Sequence, residues 1–289
     1  MIRHEWLGPN GGLIDLSDVG AGVFMGAEGV EGMGMPPTTA FLRVGAMTEG
    51  QTLTGVKTEA REVFWPIVIM DGTRGWFDSQ KRLWDSFIPG EYGLWRVTHN
   101  QTYRTLECRF EHDGGAVYSV DPSERQVETH GITLKADRPM WRGPRVAKQF
   151  QAAQSSGSFF APPGSDHVFN IGSAGNTDAA VLSNPGDVPA WATVTVSGPS
   201  LAFSVLVDGA EISATLTLAS GDRLVIDTDP KKQIARLWRG NTSTLFPFFN
   251  FTKIRFAPIP RGGSVPVAIT VNGSGPVEIG FDPQYRRAY

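Results

Sequence analysis

Residues 184–198 read NPGDVPAWATVTVSG, a stretch that begins as a turn and continues as a strand. Its first four residues are turn formers, each for a backbone or hydrogen-bonding reason of its own. From Ala192 to Val196, small or polar residues alternate with β-branched ones, which is the pattern of a strand with one buried face. No acid, base or nucleophile is positioned to use this strand, so the stretch predicts a structural role.

The pattern of this stretch continues through the second half of the chain. Short alternating segments recur there about every ten residues, with turn residues between them. The predicted strands are HVFNI, AAVLSN, ATVTVSG, AFSVLV, SATLTL, RLVIDT, FTKIRFA, PVAITV and PVEIGF. No amphipathic helix interrupts them, and the spacing predicts an antiparallel β-sandwich.

The first half has a different pattern, with one helix among strands. A helix is predicted in GWFDSQKRLWDSFIPG, where the Pro-Gly pair would end it. The residues of its apolar stripe are Trp76, Phe77, Leu83, Trp84, Phe87 and Ile88. REVFWPIVIM and RQVETHGITLKA predict strands, and GLWRVTH with YRTLECRFE predicts a hairpin that turns at Asn100 and Gln101. This half is therefore predicted to be α+β, with the helix packed on a small sheet.

The two patterns predict a mainly β chain of two domains. A length of 289 residues also favours two, at roughly 150 residues for each domain. The N-terminal α+β domain is placed at 1–145 and the C-terminal sandwich at 167–289. Residues 146–166 include AAQSSGSFFAPPGSD, which is small, polar and interrupted by proline, as a linker would be.

Charge and cysteine content exclude several classes of function. The formal net charge is −3, so a sequence-independent grip on nucleic-acid phosphates is not the expected activity. The single cysteine, Cys108, shares a strand face with Leu106 and Phe110 and is interpreted as a core residue, which leaves no disulfide framework. The N-terminus lacks the apolar segment of a signal peptide, and the longest apolar run, VFWPIVIM, is too short to span a bilayer. We expect no membrane segment, and folding in a cytoplasm.

Three local clusters could carry chemistry, and each has a simpler structural interpretation. The glycine-rich run GAGVFMGAEGVEGMGMPP lacks the GxGxxG spacing of a phosphate cradle and is predicted to be a loop. Glu111, His112 and Asp113 could ligate a metal, but adjacent strand residues point to opposite faces, which favours a hairpin tip. The consecutive residues 165–167, SDH, cannot form a catalytic relay. No catalytic residue, metal or cofactor is expected.

Acidic residues in SGDRLVIDTDP form a fourth candidate. Asp222 and Asp227 could serve as the carboxyl pair of a glycoside hydrolase, which needs the two groups about 5–10 Å apart in a cleft. Together with Asp229 they could also bind calcium. Two of the three flank a strand at turns, however, and no DxDxDG loop is present, so we interpret them as turn formers.

Aromatic residues could stack on sugars or pack in a core. Trp76 and Trp84 are predicted to be core residues, and Trp141, after Pro139, to seal the end of a strand. Trp191 and Trp238 are plausible carbohydrate platforms, with core or subunit packing as the alternative. TLFPFFNFTK contains an aromatic cluster too dense for a solvated loop. Its members, expected to be buried in the sandwich or against another chain, are Phe246, Phe248, Phe249 and Phe251. A polar substitution at Phe249 should then reduce solubility or assembly.

The two halves together resemble the distal tail proteins of long-tailed, siphovirus-type bacteriophages, often called minor tail proteins in phages of actinobacteria. The matching stretches of the first half are GMGMPP, GVKTEAREVFWPIVIM, the helix ending at FIPGEYG, LWRVTHNQTYRTLECRF and ITLKADRPMWRG. Those of the second half are LSNPGDVPAWATVTVSGPS, TLASGDRLVIDTDPKKQIARLWRGN and VEIGFDPQYRRAY. Family-like sandwich positions among them are Asn184, Gly186, Pro189, Gly198, Gly221, Asp222 and Asp227. This chain departs from the family at FAPIPRGGSVPV, where a Pro-Gly-Asn turn is usual.

The resemblance implies a structural, non-enzymatic virion protein. In that family the N-terminal domain, a small sheet or split barrel with one helix, forms a closed ring, expected here to be a homohexamer, with a galectin-like sandwich outside it. Such a hub ends the tail, joins the tail tube to the baseplate or tail tip, and lines the DNA exit channel without binding DNA specifically. The implied partners are the tail tube protein, the tape measure protein and the tail-tip or baseplate hub proteins, and the implied location is the virion, after synthesis in the host cytoplasm.

A carbohydrate-binding module is the main alternative function. In this alternative, the sandwich recognises host cell-surface glycans through Trp191 or Trp238, which would require an exposed indole beside polar residues. A glycoside hydrolase using Asp222 and Asp227 is the weaker alternative.

Overall fold

The computed structural model describes residues 2–26, 29–45, 49–114, 121–150 and 176–289, and the chain divides into two units. The first unit contains residues up to Pro144 together with Gln284–Tyr289, and the second contains Arg145–Pro283. Strands account for 54% of the structure, so the predicted mainly β class is confirmed.

The first unit is built on one large antiparallel sheet. The strands of the unit, in chain order, are β1 (Ile2–Leu7), β2 (Leu13–Asp15), β3 (Val23–Met25), β4 (Thr38–Arg43), β5 (Thr52–Thr58), β6 (Arg61–Met70), β7 (Tyr92–His99), β8 (Thr102–Asp113), β9 (Val127–Ala136) and β10 (Trp141–Arg142). Its helices are α1 (Trp76–Trp84) and the single turn α2 (Pro122–Arg125), with a 3₁₀ turn at Val19–Ala21.

The sheet of this unit is nearly closed into a barrel. Its strand order is β2-β1-β7-β8-β9-β6-β3, and β10 adds to it beside β8. The amide of Met25 at the end of β3 donates to the carbonyl of Leu16, just beyond β2, over 2.8 Å, which brings the two edges together. Asn100 and Gln101 have φ values of 46° and 69°, the left-handed pair of a tight two-residue hairpin, so the turn predicted between β7 and β8 is confirmed.

Four fully buried tryptophans fill the interior of the first unit. Trp6 and Trp95 are register partners on β1 and β7, and the ring of Trp65 stands edge-on to both at centroid distances of 5.2 and 5.3 Å. Trp141, which the sequence placed at the end of a strand, joins them in the core beside Trp95 at a centroid distance of 5.0 Å. Cys108 is completely buried, which confirms its core assignment, and burial raises the pKa of its thiol. The thiol is therefore an inert packing group.

The predicted helix is confirmed, but its apolar stripe is narrower than expected. Trp76 and Leu83 are buried, and Trp84 packs partly buried against the core. Phe77 is 70% exposed, because each residue advances the helix by about 100° and its neighbour Trp76 already faces the sheet. Phe87 contacts the core from beyond the end of the helix.

The second unit consists of two antiparallel sheets around one core, as the strand spacing predicted. Its strands are β11 (Val146–Phe150), β12 (Asn176–Ser183), β13 (Thr193–Ser197), β14 (Ser200–Val207), β15 (Ala210–Leu218), β16 (Arg223–Asp227), β17 (Ile234–Arg239), β18 (Thr242–Leu245), β19 (Lys253–Ile254), β20 (Ser264–Gly273) and β21 (Val277–Phe281). One sheet has the order β11-β21-β13-β16-β17-β18, and the other β12-β20-β14-β15-β19. The alternation in ATVTVSG is confirmed, because Val194 and Val196 are fully buried between the sheets.

The last residues of the chain return to the first unit. The short strand β22 (Gln284–Tyr285) pairs with β10, and Ala288 is buried with its amide donating to the carbonyl of Met33. The units therefore differ from the predicted domain boundaries in two places. Residues 284–289 were placed in the sandwich domain, and Val146–Phe150 was placed in the linker but pairs with β21 along its whole length. A short polar segment takes its fold from the strand edge that it meets, which its own pattern does not specify.

Candidate functional site

A hairpin that pairs with neither edge of the large sheet is the most unusual surface of the first unit. β4 and β5 form a separate two-stranded sheet, which we call the arm, and none of its residues is buried. An isolated two-stranded hairpin is marginally stable in water, because it lacks a second layer to cover its apolar side chains. Such an exposed hairpin is expected to be stabilised by packing against another surface.

One face of the arm is apolar. Ala40 lies opposite Val56 and Leu42 opposite Leu53, and a register shift beside Leu42 keeps all four on the same side. Leu42, Leu53 and Val56 are each more than half exposed, at 52%, 58% and 58%. Contiguous exposed apolar surface of this kind is typical of sites that contact another molecule.

Arg61, at the start of β6, fixes the base of the arm. Its guanidinium is 2% exposed and donates to the carbonyls of Gly32 and Gly34, which lie just before the arm. It also donates to the carbonyls of Pro139 and Arg286, at 3.0 and 2.7 Å. Burial lowers the pKa of Arg61 to about 10, so the group stays charged at neutral pH and the carbonyl dipoles replace its lost water. One side chain thus joins the approach to the arm, a loop and the C-terminal segment.

The sandwich positions singled out in the sequence are structural. Asn184 is buried: its Nδ2 donates to the carbonyls of Val188 and Ile259, and its Oδ1 accepts from the amide of Gly186, which closes the NPGD turn. Pro189 follows Val188 in the chain and precedes Ala190, which forms an isolated β-bridge with Ile259. This turn holds the start of β13 against the loop before β20.

Gly198 and Gly221 are needed for different reasons. A β-carbon at Gly198 would lie 1.9 Å from the carbonyl oxygen of Ala219, whereas one at Gly221 would meet nothing but would sit at a φ of +90°. We expect Gly198→Ala to lower the free energy of unfolding of the second unit by about 3 kcal/mol or more, because backbone atoms cannot move aside easily. Gly221→Ala, the matched control, should cost about 1–2 kcal/mol from backbone strain alone. Calorimetric unfolding measures both, and equal losses would contradict the steric explanation.

The two acids proposed for glycoside hydrolysis are too far apart for that reaction. Asp222 precedes β16 and Asp227 ends it, so five residue steps, about 16 Å at 3.3 Å each, separate their backbones. Asp222 accepts from the amide of Ala219 and pairs with Arg239, while Asp227 pairs with Lys232 at 2.7 Å and accepts from the amide of Asp229. They are turn and ion-pair residues, as the sequence favoured.

The remaining clusters show no site in the part of the chain described. Glu111, His112 and Asp113 end β8, and no group of three His, Cys, Asp or Glu side chains that could hold a metal occurs among the described residues. Residues 165–167 lie outside the described ranges. Within the same ranges, no helix is long and apolar enough to cross a membrane.

The structure separates the two tryptophans proposed as carbohydrate platforms. Trp191 precedes β13 at the end of the sheet where Thr193 faces Asp227. Trp238 lies opposite Arg223, which is at the other end of β16, so the two indoles cannot form one platform. Both side chains are partly exposed.

The phenylalanine cluster also divides. Phe251 is buried, and Phe246 and Phe248 pack partly buried against the sandwich core around it. Phe249 is 85% exposed, so the expectation that the whole cluster is buried is wrong for this residue within the chain. It lies in the 3₁₀ turn Phe248–Asn250, whose neighbours already occupy the core side. Burial of Phe249 against another chain stays a prediction.

The sequence reasoning missed the arm and Arg61. The alternation in TTAFLR and TLTGVKT was available as a strand signal, but local alternation cannot show that a hairpin lacks a sheet to pack on. Nothing near Arg61 in the sequence indicates its acceptors, since one of them is 225 residues away.

Comparison with known proteins adds a whole-chain likeness of fold. No protein-family model matches the sequence, and no curated protein matches it. The Dit protein of phage SPP1, described as a paradigm of the hub adsorption apparatus in phages infecting Gram-positive bacteria, aligns over 98% of this chain and 99% of its own, with a TM-score of 0.59 and 12% identity. This chain shares its fold.

Two structures of the phage p2 baseplate in its activated conformation, with Ca and with Sr, give a similar result. In each, the matching chain covers 93% of this chain and 98% of its own, with a TM-score of 0.52 and 9% identity. The TM-scores show a common fold, and at such low identities the likeness shows the fold alone.

Proposed function

We propose that this chain is a structural hub of a phage tail tip, which joins the tail tube to the baseplate or adsorption apparatus. The observation that carries the proposal is the likeness to the SPP1 hub protein over nearly the full length of both chains, which includes both units. A function that resided in one grafted domain would not require the second unit to match as well.

The arm supports assembly of this hub from copies of the chain. Its apolar face finds no cover within the described residues, and closed cyclic symmetry is the usual way in which one chain type makes a ring. We propose a homohexameric ring around the DNA exit channel, with the tail tube protein, the tape measure protein and the tail-tip or baseplate proteins as partners. The net charge of −3 suits a channel that DNA must leave freely.

Native mass spectrometry with negative-stain imaging tests the ring. The parent chain is expected to form six-membered rings with a central channel. The double variant Leu53→Asp with Val56→Asp is expected to be a folded monomer, because it places charges on the apolar face of the arm without touching a buried residue. A parent chain that stays monomeric at high concentration and with its tail tube partner would overturn the ring.

Leu201→Asp is the matched control for the arm variant. Leu201 is as exposed as Leu53, at 53% against 58%, but lies on β14 of the second unit. The Leu201→Asp variant should form rings as the parent chain does. Rings of undiminished stability in the arm variant would show that the arm is not the subunit contact. The hub function is tested separately, by whether the chain is incorporated into tails.

A further inference from the structure

We propose that the outer face of the six-stranded sheet binds an anionic saccharide at Trp238, Arg223 and Arg236. This inference goes beyond the hub function and does not depend on a ring. It rests on the register of β16, β17 and β18, which brings one partly exposed indole and two exposed guanidiniums to the same face. Strand alternation places Arg236 and Trp238 of β17 on one face, but only the register adds Arg223, which comes from β16.

The register fixes which side chains are neighbours. Arg223 is directly opposite Trp238, and Arg236 lies two residues before Trp238 on the same strand, so all three project from one side of the sheet. The guanidinium carbon of Arg223 lies 5.0 Å from the centroid of the indole ring, which is a cation–π contact that stiffens both groups.

The indole has a second neighbour that leaves it room. On the side away from β16, Trp238 faces Ser243 of the edge strand β18, whose side chain is small. A flat apolar ring beside a hydroxyl group and next to guanidinium donors offers a saccharide both a stacking surface for its C–H face and partners for its hydroxyls.

The charge of this face selects for an anion. Among the described residues, neither Arg223 nor Arg236 has a carboxylate within ion-pair distance, whereas Asp222 pairs with Arg239 at 3.7 Å. The direct neighbours of Arg236 across the strands are Val225 and Leu245, both apolar. In the same row of the sheet, Glu278 is three strands away, about 14 Å at 4.8 Å for each strand. Asp227 lies diagonally across from Arg236 on this face, but its ion pair is with Lys232. Two guanidiniums that form no ion pair with a described carboxylate, beside an indole, fit a sugar that carries carboxylate or phosphate groups.

Titration calorimetry with a galacturonic acid tetramer tests this site on the full chain. We expect saturable binding that weakens with salt, and no binding of the same tetramer with its carboxylates methyl-esterified. Trp238→Ala should weaken binding by about tenfold or more, and Arg236→Gln, which changes an exposed side chain, should weaken it several-fold without altering thermal unfolding.

Trp191→Ala is the matched control, because Trp191 is also partly exposed but lies at the other end of the sheet. It should bind as the parent does. Three results would each overturn the proposal: no binding of the acidic tetramer by the parent chain, equal binding of its methyl ester, or equal losses in Trp191→Ala and Trp238→Ala. Equal affinity for a glutamate-rich peptide through the same residues would also overturn it in favour of a protein partner.

Discussion

Replacing Arg61 with methionine is expected to lower the free energy of unfolding of the first unit by about 3–5 kcal/mol. Four backbone carbonyls, in three separate segments of the chain, accept from this one guanidinium. Methionine fills much of the same space but donates no hydrogen bond, so the carbonyls lose their donor. Each carbonyl that water cannot reach then lowers the free energy of unfolding by about 1–3 kcal/mol. Arg61→Lys keeps the charge but cannot span the acceptors, and we expect an intermediate loss.

Urea unfolding monitored by tryptophan fluorescence measures this loss. Six of the eight tryptophans lie in the first unit, so the signal reports mainly on it. Arg138→Met is the control, since that side chain is 58% exposed and its ion pair with Glu107 is long, at 4.0 Å. Such a surface pair contributes little, and the change should stay within about 0.5 kcal/mol. A loss below about 1 kcal/mol for Arg61→Met would contradict the role of the guanidinium as an anchor.

The Arg61 substitution should also affect the arm. The carbonyls of Gly32 and Gly34 lie just before β4, and Arg61 follows β5, so the guanidinium joins both ends of the arm at its base. We expect faster proteolysis within residues 38–58 in Arg61→Met than in Arg138→Met, at a urea concentration where both remain folded.

Trp95→Ala should destabilise the first unit by a similar amount, about 3–5 kcal/mol. The Trp95 ring is fully buried and has aromatic neighbours on several sides, with centroid distances of 5.3 Å to Trp65, 5.0 Å to Trp141 and 5.8 Å to His4. Truncation leaves a cavity that these large rings cannot fill without moving strands that are themselves fixed by the sheet.

Trp95→Phe separates packing from hydrogen bonding. The indole N–H of Trp95 has no hydrogen-bond partner among the described residues, so phenylalanine loses ring volume but no hydrogen bond. We expect a loss of no more than about 1.5 kcal/mol, measured by the same urea unfolding. If Phe and Ala cost the same, a polar interaction of the indole, and not its volume, would have to stabilise this core. Trp191→Ala, in the other unit, should leave this transition unchanged.

Most of the regular structure could be predicted, because it depends on local pattern. β6, β9, the β7–β8 hairpin and α1 lie where hydrophobic periodicity placed them, since each buries one face over several residues. The sequence analysis predicts no strand for ten that the structure contains, namely β1–β5, β10, β11, β17, β18 and β22. β11 and β18 have few buried residues, since they are edge strands with one neighbour each.

The candidate surfaces were less predictable. The sequence identified Trp238 as a possible platform but could not show that Arg223 lies opposite it, because the register between strands sets that pairing. It grouped Trp191 with Trp238, although the strand register places them at opposite ends of the sheet. It also grouped Phe249 with three phenylalanines that pack on the core, whereas Phe249 itself is exposed.

The sequence by itself determined the mainly β class, the single long helix, the turns and the residues able to form a core, because backbone preference and burial period act between near neighbours in the chain. Only the tertiary structure decided that the arm has no sheet beneath it, that residues 284–289 return to the first unit, and that Arg61 meets a carbonyl 225 residues away. Those features depend on which edges and carbonyls meet after the chain has folded, and no local pattern encodes such meetings.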